Sequence, residues 1–316
     1  MDGMASAALL VRYHKVPLRN IMFIGYEDRR LNRIISEVGR ARIRNGIIIL
    51  SDFAINDHQA RRVVGMLRSL KKGGNRILWF DHHQWSDRSI GMMLPYCDLM
   101  IVGENRYMCG AEMLYKSICP RDRLGDRIAR LAHTADFNLR SARDGAALRR
   151  IAYAISYSNG LAEEKEEENL RAIVGCVSGN RLDSPLIKEL SRRYLKRTRS
   201  ALRELLGGVR TMEVHGIRMG IGFGMGLHTQ EVCMAMLKRY KLNIAVYIDA
   251  AQLRGHMRSD STTDCSRIAL LFKGGGHPRA SGYVLSRRMG SGEDEKSRNR
   301  ITSELRRAAA EVYGLS

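Results

Sequence analysis

Two strings in this chain carry residues that could do chemistry together. The first, Trp79 to His83, ends an apolar run in Asp81, His82 and His83; the second, Lys273 to Gly282, reads KGGGHPRASG and lies nearly two hundred residues downstream. A carboxylate beside imidazoles suits a divalent metal ion. A glycine run beside basic side chains suits a phosphate, because Gly274, Gly275 and Gly276 can reach positive φ and approach a ligand without a Cβ, and successive N–H groups can converge on an anion. His277 and Arg279 add donors, and Pro278 fixes the exit. A ligand-free tight turn uses the same residues, and no Gly-Lys-Ser/Thr follows to make a Walker loop.

Two further carboxylates fit the metal reading. The β-run Gly46 to Leu50 delivers Asp52 at its end, as Arg76 to Phe80 delivers Asp81, so two strands bring acids to one sheet edge, where open α/β sheets place ligands. Asp136 closes a helical stretch in RLAHTADFN. Each has a plainer reading: Asp52 or Asp57 can cap the helix starting near His58, and Asp136 can simply end its own helix. Together they form a set of hard oxygen and imidazole donors suited to manganese, magnesium or zinc, and a carboxylate shared by two ions is the core of two-metal hydrolases.

On these motifs the chain resembles the DHH phosphoesterase superfamily, in the branch carrying the DHH-associated C-terminal domain of RecJ-type exonucleases and nanoRNase-type oligoribonucleases. Asp2-Gly3 followed by MASAALL matches the end of the family's first motif, Asp52 the second, Asp81 to His83 the third and Asp136 the fourth. Gly274 to Gly282 matches the signature GGGHxxASG, and Arg258 its upstream arginine. The resemblance implies that Asp2, Asp52, His82 and Asp136 hold metal. It casts His83 as the inner-shell or substrate-facing imidazole and Asp81 as the group orienting its neighbours. Arg258, His277 and the amides of Gly274, Gly275 and Gly276 are implied to grip the substrate.

The family's first motif begins with a His and an Asp on a strand, and Met1 here occupies the position between its two aspartates. The expectation is a start taken at an internal codon, with the first strand upstream; the alternative is loss of one metal position and of catalysis, leaving a nucleotide-binding protein. The activity implied is hydrolysis of phosphodiester bonds in short oligonucleotides or nucleotides by water activated at two manganese ions, with magnesium or another divalent ion as substitutes. A small-nucleotide phosphatase or cyclic-dinucleotide phosphodiesterase uses the same centre.

The elements that must position these residues alternate. From residue 20 to 103 the pattern reads strand IMFIG, helix, strand GIIIL, helix, strand RILWF and short strand LMIVG, a parallel sheet with crossovers. Helices follow, and the acidic run Glu163 to Asn169 marks a composition break whose charged face is expected to be solvated. The expected architecture is α/β: a parallel-sheet metal-binding domain over 1–160, a helical linker over 161–195 and a smaller mixed α/β substrate-binding domain over 196–316, with the active site in the cleft between them. Met225, Met234 and Met236 are expected to fill the core; His215, His228 and His256 have no partner pattern.

Composition agrees with this reading. Lys and Arg total 53 against 33 Asp and Glu, a net charge of +20 over 316 residues, which favours polyanions such as short RNA, single-stranded DNA or nucleotides. Basic residues recur over 29–46 and 191–203. Aromatics are only 6%, too few for an extended base-stacking platform. The six cysteines form no CxxC pair, which argues for buried thiols in a reducing cytoplasm and against structural zinc. No signal peptide or membrane-length apolar run is present; the reading leaves room for a homodimer.

Overall fold

The computed structural model describes residues 1–24, 28–105, 107–137, 139, 144–286 and 289–314, with Arg29 by its backbone alone. These residues gather into two units, Met1–Leu148 with Glu163–Ser184 and Arg149–Ala162 with Pro185–Ser316.

In the first unit β1 (Ile47–Ser51), β2 (Arg76–Phe80) and β3 (Leu99–Ile101) pair in parallel in that order. The central place of β2 explains why its apolar run is unbroken rather than alternating: Ile77, Leu78, Trp79 and Phe80 are all buried. Between β1 and β2, α3 (Asp57–Lys72) buries Ala60, Val63, Leu67 and Leu70, one stripe at helical spacing. Trp79 centres this core, stacked on Phe53 at 6.0 Å, edge-on to Trp85 at 5.1 Å, its indole N–H donating to the Phe53 carbonyl at 3.0 Å. The helix α3 has Asn56 at its N-cap, while Asp57 accepts the hydroxyls of Ser86 and Ser89.

The IMFIG segment forms no strand over Ile21–Ile24, and Gly25 lies outside the described residues. Ile21 follows a 3-10 turn (Leu18–Asn20), donates its N–H to Leu18 at 3.2 Å and gives its carbonyl to the Arg171 Nε at 3.2 Å. The groups a ladder needs are already engaged.

Against β1 and β2 sits α5 (Gly110–Ile118), and α1 (Asp2–His14), which buries Met4, Ala5, Ala8 and Leu9, packs on α5, α6 (Arg123–Asp136) and α8 (Glu163–Ser178). The acidic run is solvated at Glu163, Glu164 and Glu168, as expected, but not at Glu166 and Glu167. Glu166 is buried in a bidentate pair with Arg30 of α2 (Asp28–Ala41) at 2.8 and 2.9 Å, and Arg33 pairs with Glu163 at 2.7 Å and Glu167 at 2.6 Å. Part of the basic stretch over 29–46 is thus spent docking α8, in the strong fork geometry of guanidinium on carboxylate.

The second unit holds a six-stranded sheet in the order β4-β5-β6-β7-β9-β8. Its strands are β4 (Arg210–Val214), β5 (Ile217–Gly224), β6 (Ile244–Asp249), β7 (Arg254–Ser259), β8 (Gly275–His277) and β9 (Ala280–Val284). Only β5 and β6 run parallel, joined by α10 (Thr229–Tyr240). One face packs Met219, Ile221, Val246 and Met257 against α11 (Ser266–Leu271) and α12 (Glu295–Tyr313). The other packs Ala245 and Tyr247 against α10 and Leu205 of α9 (Pro185–Gly207), with Tyr194 of α9 stacked on Tyr153 of α7 (Gly145–Ser158) at 5.1 Å. Of the methionines expected in the core, Met236 is buried, but Met225 and Met234 are 59% and 38% exposed: Met225 lies in the loop before α10 and Met234 on its outer face. All six cysteines are free. No helix among the described residues is long and apolar enough to cross a membrane.

Candidate metal centre and anion-binding hairpin

The strand ladder runs one residue past β1 and β2 into acid. Asp52 donates its N–H to the Phe80 carbonyl at 3.0 Å and Asp81 its N–H to the Ile101 carbonyl at 3.0 Å, which pins both at the carboxyl edge of the sheet. Asp52 is left-handed at φ 54°, a backbone state costing of order 1–3 kcal/mol and concentrated at functional sites. There its Oδ2 accepts the Gly3 N–H at 2.7 Å.

Asp2, the first residue of α1, is fully buried. The N-terminus of α5 holds its carboxylate: Gly110 N–H donates to Oδ2 at 2.7 Å, Ala111 N–H to Oδ1 at 2.7 Å, and the Cys109 thiol adds a third bond. Helix N-termini favour anions through these unused N–H groups. A Cβ at residue 110 would be tight, 3.0 Å from Asp2 Oδ2 and 3.3 Å from the Phe80 carbonyl oxygen.

His82 joins the two ends. Its Nε2 lies 3.2 Å from Asp136 Oδ2, at the last residue of α6, and 3.7 Å from Asp2 Oδ2. Asp52, His82 and His83 each offer a donor atom, all within 4.8 Å of one another. Asp81 is spent on its neighbours: Oδ1 faces His83 Nδ1 at 2.9 Å, while Oδ2 accepts the His83 N–H at 3.2 Å and the Trp85 indole N–H at 2.7 Å. Such an orienting carboxylate fixes the tautomer and aim of an imidazole.

The electrostatics are those of crowded acids. Burial, then the charges of Asp52 and Asp136, push Asp2 up to about 8, against its bonds from Ala111 and Cys109. Burial also raises Asp52, despite the opposing charge of His83. Burial disfavours a charged His83, but its bond to Asp81 and the charges of Asp81, Asp52 and Asp136 outweigh this and lift it to about 9. Like charges taken from water raise one another in this way, and a cation among them relieves the cost. Donors about 2.1 Å from one ion at near right angles lie about 3 Å apart; the 3.2 Å between His82 Nε2 and Asp136 Oδ2 meets that spacing, Asp2 Oδ2 stands farther off at 3.7 Å, and Asp52 and His83 offer further donors near His82.

The second unit brings the remaining expected residues together. The glycine string follows α11 and folds as a hairpin: Gly275, Gly276 and His277 form the edge strand β8, paired with β9 as Gly275 to Gly282, Gly276 to Ser281 and His277 to Ala280. Its turn is pinned from β7 and α11: Ser259 Oγ donates to the Pro278 carbonyl at 3.0 Å and Cys265 N–H to the same carbonyl at 2.8 Å. A Cβ at Gly274 would stand 2.2 Å from the Gly282 carbonyl oxygen, and Gly276, at φ 132°, would meet the Ala280 carbonyl oxygen at 2.5 Å. At Gly275 a Cβ would meet nothing within 4 Å. Its bareness has no cause in the packing, as at a backbone kept open for a ligand.

Arg258 sits on β7 in register with Ala280. Its Nη1 donates to the Met257 carbonyl at 2.9 Å, while its Nε is buried without a hydrogen-bond partner among the described residues. Near it are two of the three imidazoles that lacked a partner pattern. His228, which caps α10, and His256, stacked on Tyr247 at 6.1 Å, are both lowered to about 4 by burial and by the Arg258 charge. His215 occupies the turn between β4 and β5 at φ 48°.

The motifs missed Cys109, Glu112 and His133. Glu112 accepts the Cys109 N–H at 3.0 Å and lies 2.7 Å from His133 Nδ1. The Cys109-to-Glu112 spacing is that of a capping box, a signal present in the sequence although cysteine is an unusual cap.

Neither a family model nor a curated protein sequence matches the chain. Among solved structures, RecJ from Thermus thermophilus in complex with Mn2+ matches with a TM-score of 0.56 at 18% identity, over 98% of this chain and 50% of that one. The pGpG-specific phosphodiesterase PggH from Vibrio cholerae matches with a TM-score of 0.54 at 12% identity, over 98% of this chain and 96% of that one. The chain thus has the α/β fold of RecJ and PggH, a parallel-sheet unit and a mixed-sheet unit, as its resemblance to the DHH phosphoesterases implies.

Proposed function

We propose that this protein is a divalent-metal-dependent phosphoesterase that hydrolyses phosphodiester bonds of short oligonucleotides or nucleotides. The observation that carries it is the convergence of Asp2, His82 and Asp136 within 3.2 and 3.7 Å beside Asp52 and His83. A divalent ion held there, manganese in the first instance and magnesium as the alternative, supplies Lewis-acid charge to a phosphoryl oxygen and the attacking water. Asp2, Asp52, His82 and Asp136 hold it. Asp81 fixes His83 through Nδ1, leaving the ring's other edge to face substrate and to carry a proton, since its neighbours keep it charged through neutral pH. Arg258, His277 and the Gly274–Gly276 backbone bind substrate phosphate, the buried Arg258 Nε gaining a partner.

Of the two substrate sizes, the short one has support. The chain spans nearly all of PggH, which acts on pGpG, but half of RecJ. The test is product analysis after the EDTA-stripped protein is given Mn2+ or Mg2+ with pGpG, pApA, end-labelled RNAs of graded length and cyclic di-AMP. Metal-dependent release of mononucleotides from linear dinucleotides is expected. Failure to cleave any linear substrate while phosphomonoesters or cyclic dinucleotides turn over would transfer the centre to those, and no turnover at all would sink the proposal.

A further inference from the structure

We propose that Glu112 is the positioning residue that sets the spacing between the Asp2 and Asp136 carboxylates, and through it the affinity of the metal centre. The inference rests on the metal reading above. Glu112 is the third residue of α5, and its local task is the cap: Oε2 accepts the Cys109 N–H at 3.0 Å. A cap needs nothing more. Yet the same oxygen also lies 2.7 Å from His133 Nδ1, on α6, with both side chains largely shielded at 15% and 28% exposure.

What each end of this link holds is the point. On α5 it fixes the Cys109-Gly110-Ala111 turn, whose N–H groups grip the two oxygens of Asp2 at 2.7 Å each. On α6 it fixes His133, three residues before Asp136, and residues so spaced share one helix face. The His133 ring also lies 4.7 Å from that of Phe137, which stands 5.9 Å from the ring of His82. At the loop end the same two helices are tied by Tyr115, whose hydroxyl donates to the Asp122 carbonyl at 2.9 Å. Glu112 with His133 is the tie at the metal end. Asp2 of α1 and Asp136 of α6 lie 3.7 and 3.2 Å from His82 Nε2. A small slip of α5 against α6 changes that spacing directly.

The test uses the full chain, stripped with EDTA and titrated with Mn2+ by calorimetry, with parallel thermal melts in EDTA. His133→Ala leaves the cap intact, so its melt in EDTA should match the wild type while Mn2+ binding weakens about 10- to 100-fold, the usual cost of losing an outer-shell partner. Glu112→Ala should weaken Mn2+ to a similar degree, and the double variant no further, because both remove one link. Glu112→Gln, whose amide oxygen can still accept both N–H groups, should restore most of the affinity. Asp136→Asn is the control. If it abolishes Mn2+ binding while His133→Ala binds as the wild type, or if the two alanine variants are additive, the tie is overturned and the centre stands. If Asp136→Asn binds Mn2+ as the wild type does, the centre fails and the tie with it.

Discussion

The metal cluster of the first unit and the hairpin of the second are built with opposite polarity. In the first, burial raises Asp2 and Asp52, and the bond to Asp81 with the charges of Asp81, Asp52 and Asp136 keeps His83 protonated against its burial. Around Arg258, burial and a positive charge lower His228 and His256, so both imidazoles are neutral at neutral pH. The first set costs the fold free energy; in the second, the buried Arg258 Nε has no hydrogen-bond partner among the described residues. Under the proposed function, these opposite polarities suit the two halves of a metal–phosphate pair.

The largest effect comes from removing a metal ligand. Asp52→Asn and Asp136→Asn should each cost more than about 100-fold in Mn2+ affinity, beyond the loss of an outer-shell partner, without lowering the metal-free melting temperature, since each removes a repelling charge. The pH dependence follows from the same charges. Asp2 is raised from 3.8 to about 8 and His83 from 6.5 to about 9. A group raised in the folded state contributes stability below its unfolded value and loses it as pH climbs through its folded value. The melting temperature in EDTA should therefore fall from about pH 4 to about pH 9, and the stabilisation given by Mn2+ should grow over that range. Asp52→Asn should flatten the slope. A melting temperature in EDTA that rises through this range would contradict a cluster poised for a cation.

A smaller effect tests the opposite polarity. Arg258→Ala should lower kcat/KM about 10- to 100-fold, the worth of a hydrogen bond from a charged donor, while Mn2+ affinity stays at the wild-type value. Arg258→Lys should recover only part of it, because an ammonium lacks the guanidinium fork. If Arg258→Ala weakens Mn2+ as strongly as it weakens turnover, Arg258 acts on the metal and not on the phosphate alone.

Residue types at strand ends were readable in the sequence; what faces them was not. Asp52, Asp81 and His82 could be placed because a short apolar run ending in acid is a local pattern, and β1 and β2 put them at one edge. The chain's interior decided the rest. Ile21–Ile24 has strand composition, yet Arg171, far along the sequence, takes the Ile21 carbonyl. The acidic run of α8 reads as a solvated face because its arginines, Arg30 and Arg33, lie more than a hundred residues away. The glycine string shows the same limit. Its composition suggests a ligand-binding turn or an empty one, and only the pairing of β8 with β9 separates glycines required by packing from the one that is not.

That separation gives the finest comparison. Gly276→Ala would place a methyl 2.5 Å from the Ala280 carbonyl oxygen at φ 132°, so it should destabilise the protein by about 1–3 kcal/mol, seen as a lower melting temperature in EDTA. Gly275→Ala has open space around its Cβ and sits at negative φ outside the positive-φ glycines. It should leave the melt unchanged or raise it slightly, as the alanine narrows the unfolded ensemble by about 0.4–1 kcal/mol. If β8 presents its backbone to phosphate, this harmless methyl should still raise KM several-fold, because it stands where the ligand must approach. Equal KM values for Gly275→Ala and the wild type would mean that the hairpin's glycines serve the fold alone, and would leave Arg258 as the second unit's anion receptor.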